Sequence, residues 1–169
     1  AAQPSSVAIT IRPACMLLLL CPVLRRRTRL DPAGGPEDAS RTDAAGTHAL
    51  QAVVSPLGYW VVPVELDRCL HLKTAATFAG LDNRGVPTLL INPEWADPAL
   101  FEGTEALPVS EDEPFAANVV LAGDRLIYAA GSPKTARRLR DRGFAVVEVE
   151  LSELQKAEAG GTCMSLISD

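Results

Sequence analysis

The segment Gly160–Leu166 reads Gly-Gly-Thr-Cys-Met-Ser-Leu and holds the residue best suited to covalent chemistry, Cys163. Glycines ahead of a reactive side chain let backbone amides come close to a ligand. A thiol is a useful nucleophile at neutral pH once a nearby base or an electropositive setting favours the thiolate. The chain has two histidines, and His71 in Leu70-His71-Leu72-Lys73 is the candidate base. His48 falls within a helical pattern and reads as a solvent-facing or packing residue. The plainer alternatives are a small buried cysteine that opens a strand at Met164, and a hydrogen-bonded histidine at a strand end.

Two further residues have a chemical reading. Arg41 stands where a helix begins, a place the helix dipole makes unfavourable for a cation unless the side chain leaves to meet an anion. Glu153 and Glu158 flank Lys156 shortly before the cysteine, and either carboxylate could hold a cationic ligand or belong to a solvated helix face. Cys15, Cys21, Cys69 and Cys163 are separated by 6, 48 and 94 positions, which fits no zinc pattern. The expectation is a reduced protein with no metal and no cofactor.

These residues need a scaffold. With 169 residues, 47% of them hydrophobic and 22% charged, the chain can bury a real core. Its net charge of -5 gives no reason to expect nucleic acid or an anionic membrane as a partner. The apolar run Cys15–Cys21 is far shorter than a bilayer span, and its basic block Arg25–Arg29 follows it, the reverse of a signal peptide. Residues 1–39 read as an atypical, partly disordered lead-in, with strands at Ser6–Ile11 and Met16–Leu20 and a loop at Asp31–Ser40.

From residue 40 onward the pattern sharpens. Thr42 or Asp43 caps a helix through His48–Val54, which Ser55-Pro56-Leu57-Gly58 stops, and Tyr59–Leu66 is a valine-rich strand. Leu70–Gly80 returns as a second strand or a bend, and Thr88–Ile91 is a strand. Asn92–Pro98 is a turn, and Phe101–Val109 crosses irregularly. Val119–Leu121 and Arg125–Ala129 flank the hairpin signal Gly123-Asp124. Pro133 opens an amphipathic helix with a basic face, Gly143 closes it, and Ala145–Leu151 is the next strand.

One echo runs through this pattern. Gly58–Leu66 and Gly143–Leu151 agree at six of nine positions, 85 residues apart, and each follows a helix. That argues for repeated α–β modules, with chance likeness of two valine-rich strands as the alternative.

Four stretches together resemble the dimethylarginine dimethylaminohydrolase branch of the guanidino-group-modifying superfamily. They are Leu70–Ala75, Glu113–Asn118, Ser152–Glu158 and Gly161–Leu166, within a resemblance over residues 40–167. The resemblance implies an α/β fold: the C-terminal blades of a pentein-type propeller, built of ββαβ modules around a pseudo-fivefold axis. It makes residues 40–169 the catalytic part, with acid-bearing blades upstream of it in a full member. It implies hydrolysis of Nω-methylated arginine to citrulline and a methylamine through a cysteine thiouronium. Deimination of arginine, or binding by a catalytically incomplete fragment, is the alternative. Cys163 then matches the nucleophile and His71 the general acid/base. Arg41 matches the residue that meets the substrate carboxylate, and Glu158 an acid near the substrate. Asn118 matches a family position without an assigned role. The expected partner is a small molecule, arginine or its methylated form, in the cytoplasm, and an incomplete ring of blades would expose strand edges open to self-association.

Overall fold

The computed structural model describes residues 6–11, 44–57, 59–64, 66, 68–69, 71–156 and 160–166. Its chain packs as two units, 1–72 and 73–169. The strand expected at Met16–Leu20, the loop at Asp31–Ser40, the caps Thr42 and Asp43, and the site residues Arg41 and Glu158 lie outside the described residues.

In the first unit, β1 (Ser6–Ile11) pairs antiparallel with β2 (Tyr59–Val64), Ser6 opposite Val64 and Ile11 opposite Tyr59. Between them in sequence runs α1 (Ala44–Val54), which ends in a 3-10 turn over Ser55–Leu57. Pro56 enforces that stop, because it has no N–H to continue the helical ladder. Gln51 ties helix to strand: its Nε2 donates to the Tyr59 carbonyl at 3.1 Å and its Oε1 accepts from the Val61 N–H at 2.7 Å. Val64 and Leu66 are buried, and His48 is exposed on α1.

Leu70–Gly80 is neither one strand nor a bend. A single helical turn, α2 (Leu72–Ala75), leads directly into β3 (Ala76–Leu81). The unit boundary falls after Leu72, inside α2.

The second unit repeats one topology. β3 pairs antiparallel with β4 (Pro87–Ile91), and β5 (Glu105–Pro108) adds parallel to β4. β6 (Val119–Ala122) pairs antiparallel with β7 (Arg125–Ala129) through the Gly123-Asp124 turn, and β8 (Ala145–Val149) adds parallel to β7. A parallel pair needs a crossover. In the second sheet that crossover contains α3 (Pro133–Asp141); in the first it contains only a 3-10 turn at Pro98–Leu100. The irregular crossing expected over Phe101–Val109 therefore contains a strand. The fold is α/β with a repeated three-stranded module, and no sheet closes on itself among the described residues.

Leu89, Leu90 and Ile91 are fully buried, each contributing about 1.5–3 kcal/mol through the apolar area removed from water. A cluster running from Ala79 and Leu90 through Val119 and Leu126 to Leu139 joins the two sheets and α3. Tyr128 lies within it, and its hydroxyl donates to the Ala116 carbonyl at 2.8 Å. β8 is the edge strand of its sheet, and Val147 and Val149 on it are exposed.

Polar contacts fix how the modules meet. Glu113 caps α3 from outside the helix, its carboxylate accepting the N–H groups of Lys134 at 2.9 Å and Thr135 at 2.8 Å. Those are among the donors a helix start leaves unpaired, and a carboxylate there also meets the positive end of the dipole. After α3, Gly143 adopts φ +86°, and a Cβ there would sit 2.6 Å from the Asn83 Cβ. The neighbouring Arg142 carbonyl accepts from the Asn83 N–H at 3.0 Å, so the glycine allows the closing turn of one module to seat on the other.

Asp82 is the hub of a charged cluster beside this contact. Its Oδ1 accepts from the Arg84 and Val86 N–H groups, both at 2.9 Å, and its Oδ2 from the Arg84 guanidinium at 2.7 Å and Arg142 at 3.4 Å. Glu105 bridges the same two arginines, at 2.6 Å and 2.7 Å. Burial pushes the Asp82 carboxyl up, but the hydrogen bonds from the Val86 N–H and from Arg84 outweigh it and hold it at about 2. A carboxyl held low in the folded state stabilises the fold fully above its ordinary value and loses that contribution as pH falls. The melting temperature is therefore expected to drop as pH is lowered from 3.8 toward about 2. Asp82→Asn should flatten that part of the profile, a comparison made by thermal unfolding across pH.

Candidate active site

Cys163 closes a 3-10 turn, Gly161–Cys163, and the strand expected from Met164 is absent: Met164–Leu166 is irregular and exposed. The Cys163 N–H donates to the Gly160 carbonyl at 3.0 Å, which shapes the turn, and the thiol is free and exposed. The bland expectation of a buried strand cysteine therefore fails, because the backbone N–H groups here turn inward on Gly160 and Asn118 instead of entering a ladder.

Asn118 holds the turn from a position 44 residues upstream in sequence. Its Oδ1 accepts from the Thr162 N–H at 3.2 Å, and its Nδ2 donates to Thr162 Oγ1 at 2.9 Å. The same Nδ2 donates to the Lys73 carbonyl at 3.1 Å, so both of its protons are used. Gly160 leaves room for this: a Cβ there would lie 2.7 Å from Asn118 Nδ2 and 2.9 Å from Oδ1. Gly161 is less constrained, its virtual Cβ meeting Val120 and Leu151 at 3.5 Å and 3.6 Å.

The stretch Glu113–Asn118 is thus a run of connectors. Glu113 caps α3, the Pro114 carbonyl accepts from Asn92 Nδ2 at 3.0 Å, Ala116 receives the Tyr128 hydroxyl, and Asn118 clamps the cysteine turn. The sequence alone assigns Asn118 no role. The signal for one is its place directly before the apolar strand β6.

His71 is half-buried, immediately before α2, and belongs to the first unit; Cys163 belongs to the second. Upstream of the histidine, the Cys69 thiol donates to the His71 carbonyl at 3.5 Å, so Cys69 supports the backbone there. Glu153, the alternative acid near the cysteine, is exposed and pairs with Lys156 at 2.7 Å. Among the described residues no three His, Cys, Asp or Glu side chains gather as a metal site, and no helix is long and apolar enough to cross a membrane.

No family profile matches the chain. Relatives do. The N(G),N(G)-dimethylarginine dimethylaminohydrolase of Streptomyces coelicolor is 42% identical over 126 residues, covering 75% of this chain and 46% of that protein. The protein of the same name from Pseudomonas aeruginosa is 32% identical over 129 residues, covering 76% of this chain and 49% of that one. Among solved structures, a cysteine-to-serine variant of the Pseudomonas aeruginosa enzyme complexed with citrulline superposes with a TM-score of 0.60 at 29% identity, over 75% of this chain and 48% of that one. A histidine-to-glycine dimethylarginine dimethylaminohydrolase, captured as an adduct with S-methyl-L-thiocitrulline, gives 0.62 at 32% identity over the same shares. The chain spans about half the length of the curated relatives it matches. Over the part of the fold that it spans, this chain resembles the dimethylarginine dimethylaminohydrolases.

Proposed function

We propose that the protein hydrolyses the guanidino group of Nω-methylated arginine, giving citrulline and methylamine or dimethylamine, and that its modules are blades of a five-bladed α/β propeller. The observation that carries the reading is the cysteine turn: an exposed thiol at the end of Gly160–Cys163, clamped by Asn118, in a chain 42% identical over 126 residues to a dimethylarginine dimethylaminohydrolase.

The chemistry follows from the substrate. A guanidinium carbon is electrophilic only while its positive charge is kept, yet resonance makes it resist attack. The Cys163 thiolate forms a C–S bond to that carbon. The tetrahedral adduct then breaks its C–N bond to the methylated nitrogen, and protonated His71 gives its proton to the departing amine. A covalent thiouronium remains. Neutral His71 next takes a proton from water, the oxygen attacks the same carbon, and the C–S bond breaks to release citrulline and the thiolate. In this scheme Arg41 pairs with the substrate α-carboxylate through a two-pronged hydrogen bond, and Glu158 lies near the guanidinium, favouring its cationic form. A thiolate nucleophile requires reducing surroundings, which fits the cytoplasm.

The second reading is a protein that holds the amino acid without turning it over. Incubation with asymmetric dimethylarginine and, separately, with arginine decides between them. Citrulline from dimethylarginine is the expected result. Citrulline from arginine alone would make the protein a deiminase, and binding without citrulline from either would leave the second reading standing.

A further inference from the structure

We propose that Asn118 is a positioning residue for Cys163, and that Gly160 exists in its present form to admit it. The inference deepens the reading of Cys163 as a nucleophile and rests on it. A 3-10 turn of three residues is held by few bonds of its own. Here the Thr162 residue next to the cysteine is gripped at both its N–H and its hydroxyl by one carboxamide. The third bond, to the Lys73 carbonyl, anchors that carboxamide to the start of the unit's first segment, two residues after His71 in sequence.

The geometry is specific to asparagine. The Lys73 carbonyl and Thr162 Oγ1 need two donors from one nitrogen, and the Thr162 N–H needs an acceptor beside them. An aspartate supplies no donor, and a glutamine carries its amide one carbon too far. Gly160 makes the arrangement testable from the other side. Any Cβ at residue 160 falls within 2.9 Å of three atoms of the Asn118 side-chain amide, so the amide must shift from the position in which it makes its three bonds. Reaction rates respond steeply to such displacements, because the attacking atom must be held in line with its carbon, and a shift of about 1 Å can cost about 10²-fold.

The experiment compares the full chain with Asn118→Ala and Gly160→Ala. Melting temperature, the kcat and KM of citrulline formation, and the rate of Cys163 alkylation by iodoacetamide, read at the peptide level by mass spectrometry, are measured for all three. Both variants are expected to lose at least tenfold in kcat with KM within twofold, and to change the alkylation rate of Cys163 at least threefold. A polar contact that merely supports the fold would lower the melting temperature and leave the alkylation rate alone. A kcat within twofold of the parent in Asn118→Ala, or a Gly160→Ala protein that behaves as the parent does, overturns the proposal. If the parent chain forms no citrulline, the proposed reaction fails separately and the alkylation rate decides: changed in both variants, Asn118 positions the thiol; unchanged in either, it does not.

Discussion

Cys163→Ser is expected to lower citrulline formation from dimethylarginine by at least about 10³-fold while leaving the fold in place. The first half of the expectation is chemical. A serine hydroxyl at this turn is far less acidic than a thiol, so almost none is ionised at neutral pH, and the charged guanidinium would wait on a poor nucleophile. The second half is structural. The Cys163 side chain is exposed and belongs to no core cluster, and the bond that shapes its turn comes from its backbone N–H. Surface exchanges of this kind usually stay within about 0.5 kcal/mol, so the melting temperature should stay within about 3 °C. Mass spectrometry separates the outcomes: the parent should trap a thiouronium on the peptide holding Cys163 when quenched in acid during turnover, and the serine protein should not. A serine variant that still turned over would place the nucleophile elsewhere.

How much of this was legible beforehand depends on whether the signal was local. The helix α3 announced itself through Pro133 at its first turn and Gly143 after its end, and the β6–β7 hairpin through Gly123-Asp124; both are set by backbone preferences of adjacent residues. The sequence predicts an irregular crossing at β5 because four residues ending in proline have little strand character of their own. Its backbone is drawn into line by pairing with β4, Thr88 opposite Glu105, a contact no window of sequence contains. Likewise α2 is one turn, too short to nucleate alone, and is held from outside. The echo between Gly58–Leu66 and Gly143–Leu151 marks two strands that each follow a helix, but their pairing differs: β2 pairs antiparallel with β1, whereas β8 pairs parallel with β7. The true repeat is the three-stranded module, whose two copies share connectivity and not residues. At the site, the sequence shows the cysteine and its glycines, but Met164–Leu166 forms no strand, and the Thr162 N–H before it is taken by Asn118.

His71→Ala gives the second large effect and bears on the step that the cysteine alone cannot perform. Loss of a positioned acid/base group is expected to lower kcat by about 10²–10⁴-fold. The reason lies in the leaving group: an amine expelled without a proton is a strongly basic anion, and the tetrahedral adduct would return its thiolate before releasing it. In the second half the water must lose a proton to attack a thiouronium, and the same ring is assigned that task. His71→Ala should therefore keep Cys163 open to alkylation while stalling hydrolysis, with a melting temperature equal to the parent's to exclude loss of fold. The backbone around residue 71 retains the Cys69 contact to its carbonyl, which the substitution does not touch. The parent's rate should rise and fall with pH, since the ring must be protonated in one half-reaction and neutral in the other, and the variant should lose that shape. His48 supplies the control. It is the other histidine, exposed on α1, and His48→Ala should keep kcat within twofold of the parent. Equal losses in the two histidine variants, or a full rate in His71→Ala, would remove His71 from the reaction and with it the two-step proton economy on which the proposed hydrolysis depends.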